Sequence, residues 1–184
     1  MKKALLTSAG FENNNIKKIF LELIDKKTEC IKALFIPTAA INADAIAVLP
    51  KCMNDLLNAG ILKENIVVFD LHCELAYEEL CKYDAIYFCG GSTKYLLNRI
   101  NDTHFYIPLK RFIDNGGVYV GVSAGSCIAA NNIPDNLGLI NCTLSVHTQE
   151  GTKVGKIDIS QCPHIHLTDN QAILIRDDNY FIVE

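Results

Sequence analysis

The segment Gly121-Val122-Ser123-Ala124-Gly125 joins a hydroxyl nucleophile to two glycines in the G-x-S-x-G spacing. That spacing suits a sharp turn from a strand into a helix, which forces strained backbone angles on the serine and lifts its Oγ beyond the sheet. Glycines on either side avoid collision with the neighbouring strand and helix. The amide of Ala124, near the positive end of the following helix, would face an oxyanion developing on an attacked carbonyl. The bland alternative is a glycine-rich connection with no chemistry. A second segment, Gly90-Gly91-Ser92-Thr93, follows another apolar run. Glycines at the carboxyl end of a parallel strand let a ligand approach the backbone closely. Gly90 and Ser92 are therefore expected to touch substrate, and the Gly91 amide to be a second oxyanion donor. Ser92 or Thr93 would also suit the N-cap of a helix.

Both segments need strands to position them, and the apolar runs supply those strands. Short runs at 4–6, 33–36, 66–69, 85–88 and 118–122 predict five strands. Between them, Ile16, Ile19, Phe20, Leu23 and Ile24 recur at helical spacing. Further helices are predicted over 42–59, closed by Gly60, and over 75–82, 95–100 and 108–114. Continuous apolar strands separated by amphipathic helices predict an α/β fold, a mainly parallel sheet flanked by helices on both faces. An antiparallel α+β sheet would show alternating strands instead. After about residue 140 the pattern becomes β-rich. Short strands at 143–146, 152–159, 165–167, 172–175 and 180–183, with a hairpin turn at 176–179, would extend the sheet or add a ribbon beside it.

The chain has 184 residues, which predicts one domain over 1–184 with a core large enough to need no staple. A hydrophobic fraction of 49% with 21% charged residues excludes a disordered or fibrous chain. A net charge of −4 gives no electrostatic footprint for nucleic acid. No run is long enough to span a membrane, and the apolar run after Met1-Lys2-Lys3 stops at Thr7-Ser8, too early for a signal peptide. The expected setting is the cytoplasm. Eight cysteines, at 30, 52, 73, 81, 89, 127, 142 and 162, form no C-x-x-C pair and read as reduced thiols.

With these segments in view, the chain resembles the serine peptidases of the dipeptidase E and cyanophycinase family, whose fold is related to the class I glutamine amidotransferases. The resemblance rests on Phe35-Ile36-Pro37-Thr38-Ala39, on Cys89-Gly90-Gly91-Ser92-Thr93 with Leu96-Leu97, and on Gly121-Val122-Ser123-Ala124-Gly125-Ser126. It spans about residues 1–150, and Gly-Gly-Ser-Thr stands where the family usually has Gly-Gly-Asn-Thr. It implies a cytoplasmic enzyme with a Ser–His dyad braced by an acidic residue, acting on small acidic peptides or aspartate–arginine polymers without a cofactor. It places the base about two dozen residues past the serine. There Asp135-Asn136-Leu137-Gly138-Leu139 precedes His147 in Ser145-Val146-His147-Thr148, although the family usually has Pro-His-Tyr at that point. An imidazole can take the Ser123 proton at working pH. For the third member Asp135 is favoured as the nearest carboxylate, with Asn132 and Asp169 as alternatives.

The expected reaction is hydrolysis of a small peptide through an acyl-enzyme, by a monomer or homodimer that binds neither nucleic acid nor membrane. Two other classes stay open. One is a non-catalytic, metabolite-binding member of the same fold. The other is a metal-dependent hydrolase using Cys162, His164 and His166, which share one face if they lie on a strand. Cys127 lacks the turn position of a nucleophile and is expected to face inward.

Overall fold

Side chains alternate between the two faces of a strand, so a strand whose every residue is apolar must be covered on both. The computed structural model, which describes residues 1–184, meets this demand over 33–36, 85–88 and 118–122 with an eight-stranded sheet between two layers of helices, whereas the apolar run at 66–68 lies at the sheet edge and stays largely exposed. In chain order the elements are β1 (Lys3–Thr7), α1 (Asn14–Ile24), β2 (Ala33–Ile36), α2 (Ala43–Ala47), α3 (Leu49–Asn58), β3 (Ile66–Val68), α4 (Tyr77–Leu80) and β4 (Ala85–Phe88). Then come α5 (Thr93–Asp102), α6 (Tyr106–Asp114), β5 (Val118–Val122), α7 (Ala124–Cys127), β6 (Thr143–Ser145), β7 (Gly155–Lys156), β8 (His164–His166), β9 (Ala172–Arg176) and β10 (Asn179–Val183). No helix is long and apolar enough to cross a membrane.

The strand order is β3-β2-β4-β5-β1-β9-β10-β7. The first five strands pair in parallel, and the last three join antiparallel. The tail therefore extends the sheet. It also forms a separate parallel ribbon of β6 and β8. Period-two alternation divides the core. Leu5, Phe35, Tyr87 and Val120 face α1 and α3, while Leu6, Ile36, Phe88 and Tyr119 face α5, α6 and α7.

Two elements differ from the sequence expectation for physical reasons. The helix predicted over 42–59 is two helices, because Pro50 lies in the first turn of α3. Within a continuous helix its ring would press on the Ile46 carbonyl and leave that oxygen without a donor. The strand predicted over 152–159 shrinks to β7. Thr152 N bonds the His166 carbonyl in the ribbon, whereas Ile157 N bonds the Tyr180 carbonyl beside the main sheet. The segment crosses from one sheet to the other and cannot complete a ladder with either.

Candidate active site

Ser123 leaves the carboxyl end of β5 with φ 49° and ψ −103°, a region that side chains populate only when the surroundings enforce it. The enforcement is a set of buried hydrogen bonds. Ser123 N donates to the Thr7 carbonyl at 3.1 Å, and Tyr119 Oη donates to the Gly125 carbonyl at 2.5 Å. Ser126 Oγ lies 2.7 Å from the Thr7 carbonyl and 2.9 Å from that of Gly121. The two glycines are steric requirements. A methyl on Gly121 would stand 2.6 Å from the Gly125 backbone, and one on Gly125 would stand 2.7 Å from the Phe88 carbonyl.

His147 follows β6 in a left-handed conformation, φ 57°. Its Nε2 lies 3.1 Å from Ser123 Oγ, and its Nδ1 lies 2.7 Å from Asp169 Oδ1. Ser8 ties the group together by donating to Asp169 Oδ1 at 3.0 Å and accepting from His147 N at 2.7 Å. Burial works to raise the Asp169 pKa, but the hydrogen bonds from His147 and Ser8 outweigh it and hold the carboxyl below its ordinary range. An ionised carboxylate only accepts, so Nδ1 carries the ring proton and Nε2 offers its lone pair to the Ser123 hydroxyl. That is the arrangement in which a serine can lose its proton to a histidine as it attacks.

Asp135, favoured from the sequence as the third member, is not at the imidazole. It lies exposed in a turn at φ 56° and makes no hydrogen bond to His147. The position is taken by Asp169, one of the alternatives. The physical reason is strand register. Antiparallel pairing aligns Thr7 of β1 with Ala172 of β9, which sets the turn at 168–171 beside Ser8, at the edge where β5 releases Ser123. Asn132, the other alternative, clamps β6 instead: Nδ2 donates to the Leu144 carbonyl at 2.6 Å and Oδ1 accepts from Leu144 N at 2.9 Å.

Gly90 and Gly91 follow β4 and border a cavity of about 290 Å³ that also reaches Ser123, His147 and Asp169. The amides of Gly91 and Ala124 donate to no group within the protein, so both stay available to an incoming oxygen. Gly91 has φ +137°, and a methyl there would stand 2.0 Å from the Ala39 carbonyl. Ser92 does not reach the cavity. It caps α5, with Oγ accepting from Tyr95 N at 3.3 Å.

Cys162, His164 and His166 do not gather into a ligand set. His164 Nε2 lies 2.8 Å from Ser145 Oγ, its ring stacks on His166 at 4.5 Å, and Cys162 Sγ accepts from Asn131 Nδ2. No group of three His, Cys, Asp or Glu side chains is placed to hold a metal ion. Cys127 packs partly inward, where burial pushes its thiol up to about 11. Sequence reasoning missed Ser8, whose one signal is that it immediately follows an apolar strand. It also missed Lys51, whose ammonium pairs with Glu12 and donates to the Ala9 carbonyl at 3.1 Å beside the cavity.

The fold and this geometry define an α/β protein with a Ser–His–Asp hydrogen-bond chain at the carboxyl edge of its parallel strands. Residues 4–139 match the profile of peptidase family S51, and the chain belongs to that family. It is 25% identical over 164 residues to an uncharacterized peptidase of Pasteurella multocida, covering 89% of this chain and 77% of that one. It is 26% identical over 173 residues to an uncharacterized peptidase of Listeria monocytogenes, covering 94% and 82%. In fold it is similar to the crystal structure of a candidate peptidase E protein from Listeria monocytogenes, with a TM-score of 0.75 at 22% identity over 100% of this chain and 98% of that one. A peptidase from an acI-B1 Actinobacterium gives 0.66 at 17% identity, over 100% and 87%.

Proposed function

We propose that the protein is a serine-type peptidase of small peptides that works through an acyl-enzyme. The observation that carries this reading is the unbroken chain from Ser123 Oγ through His147 to Asp169, with spans of 3.1 and 2.7 Å. His147 Nε2 takes the Ser123 proton while Oγ attacks the scissile carbonyl carbon. The carbonyl oxygen becomes an oxyanion between the amides of Gly91 and Ala124. His147 then returns the proton to the leaving amine as the C–N bond breaks. Water, activated by the same imidazole, releases the acyl group from Ser123. Asp169 holds the productive tautomer and carries the compensating charge. A cavity of about 290 Å³ is at the small end for ligand sites and suits a dipeptide-sized substrate. The eight cysteines are all free, which favours a reducing compartment such as the cytoplasm.

The acidic preference implied by the resemblance requires a cation at the cavity. Lys51 is the one lysine or arginine there, and its ammonium is already engaged by Glu12 and the Ala9 carbonyl. A fluorophosphonate probe tests the mechanism. Ser123 is expected to be labelled, and labelling is expected to disappear in Ser123→Ala and to drop steeply in His147→Ala. Peptide hydrolysis should fall about equally in the two variants, because the pair acts as a unit. Full hydrolysis by Ser123→Ala would remove the serine mechanism.

A further inference from the structure

The cavity at Ser123 is charge-compensated, and its remaining walls are apolar. Asp169 is taken up by His147 and Ser8, and Lys51 by Glu12 and the Ala9 carbonyl. What remains for a substrate side chain is Ala45, Val48 and Leu49 from the junction of α2 and α3, with Cys52, Cys89 and Val122. Pro50 creates this wall by breaking the helix at Val48. Val48 is left 46% exposed at the rim, an aliphatic surface that a bound apolar group would cover. A carboxylate entering the same space would lose its water and find no free cation to replace it.

We propose that this cavity is the subsite for the substrate side chain next to the scissile carbonyl, and that it takes a small aliphatic group of valine or leucine size in preference to a carboxylate. The inference rests on the serine-peptidase reading. Gly90, Gly91 and Ser123 line the cavity, so the side chain that enters it is the one adjacent to the carbonyl held there. The volume of about 290 Å³ must also admit substrate backbone, which limits the side chain to a few carbons. Val48 and Leu49 are the residues that set this preference.

The test uses diphenyl α-aminoalkyl phosphonates carrying the side chains of valine, leucine, aspartate and lysine, beside a fluorophosphonate that has no amino-acid side chain. Inactivation rate constants are measured and the Ser123 adduct is verified by mass. The valine or leucine probe is expected to react at least about tenfold faster than the aspartate probe, the scale on which a few methylenes discriminate. Val48→Lys, which supplies the missing cation at the rim, is expected to reduce that ratio about tenfold or more, and Val48→Ala to reduce it a few-fold. An aspartate probe that reacts as fast as the aliphatic ones overturns the inference, above all if its rate collapses in Lys51→Met. An unchanged ratio in Val48→Lys also overturns it. In either case, labelling of Ser123 by the fluorophosphonate leaves the serine mechanism standing. Absence of that labelling removes the mechanism and the subsite together.

Discussion

Asp169→Asn keeps the shape of the side chain and removes its charge, which makes it the sharpest probe of the hydrogen-bond chain. In the wild type Oδ1 lies 2.7 Å from His147 Nδ1 and fixes the proton there. An asparagine can instead turn its amide nitrogen toward Nδ1, which favours the tautomer with the proton on Nε2. That tautomer cannot accept from Ser123, 3.1 Å away. A hydrogen bond to a charged group contributes about 1.5–3 kcal/mol. At about 1.4 kcal/mol per decade this corresponds to a loss of roughly 10- to 150-fold. A buried triad loses about 10⁴-fold on the same change, but the Asp169 side chain is 55% exposed, and water screens its charge. The expected fall in kcat/KM is therefore about 10²-fold and resides in kcat. Asp169→Ala should cost no more than Asp169→Asn, because Ser8 Oγ, 3.5 Å from Nδ1, can then accept the ring proton without competition from a misdirected amide.

The assay is steady-state hydrolysis of one cleaved dipeptide from pH 4 to 9, with Asp135→Asn as the control. Asp169 has its carboxyl held below the ordinary range, so it stays charged throughout the neutral region. An acid limb of kcat/KM in that region therefore cannot be assigned to Asp169. The linked stability has the depressed-carboxylate sign: it is present above the unfolded pKa of about 3.9 and is lost as the pH falls through the folded value. Asp169→Asn within twofold of wild type, or Asp135→Asn equally damaging, would refute the assignment.

Gly91→Ala must relieve both a φ of +137° and a 2.0 Å approach to the Ala39 carbonyl, so thermal denaturation should show a loss of about 2–4 kcal/mol; an unchanged Tm would contradict the strain argument. Asp55 is buried and accepts from Tyr87 Oη at 2.5 Å and Phe11 N at 3.0 Å, so Asp55→Ala should cost about 2–4 kcal/mol and Asp55→Asn clearly less. Burial raises the Asp55 pKa against those bonds, so its contribution is full below the unfolded value and is lost as the pH rises through the folded one. Denaturation curves from pH 4 to 8 should therefore show Asp55→Asn gaining on the wild type as pH rises. Under native conditions iodoacetamide at pH 8 should modify exposed Cys30, Cys73, Cys81 and Cys162 first. Cys127 and Cys142, pushed up by burial to about 11 and about 12, should resist until denaturant is added, and mass spectrometry of the adducts decides the order.

The sequence by itself determined the five parallel strands and the place of Ser123, because both are local. The run Ala85-Ile86-Tyr87-Phe88 is apolar at every position, as burial on both faces demands, and its four residues are all buried. Gly121 and Gly125 mark the turn because their hydrogens are the only groups that fit between β5, α7 and β4. His147 was found by its distance from the serine in a resembling family. Its contact with Ser123 is tertiary.

The third member could not be read from spacing. Asp135 is 12 residues past Ser123 and Asp169 is 46 past it, yet the nearer carboxylate faces solvent. Only the pairing of β9 with β1 carries residue 169 to the edge that bears Ser123, and that register depends on long-range packing absent from any local pattern. Ser8 was hidden for the same reason: a serine after a strand is unremarkable until residues 139 and 161 positions later fold against it. The cavity wall at Val48 lay in the sequence as Pro50, two residues on, but which space the broken helix would line was decided by the layer of helices packed over the sheet.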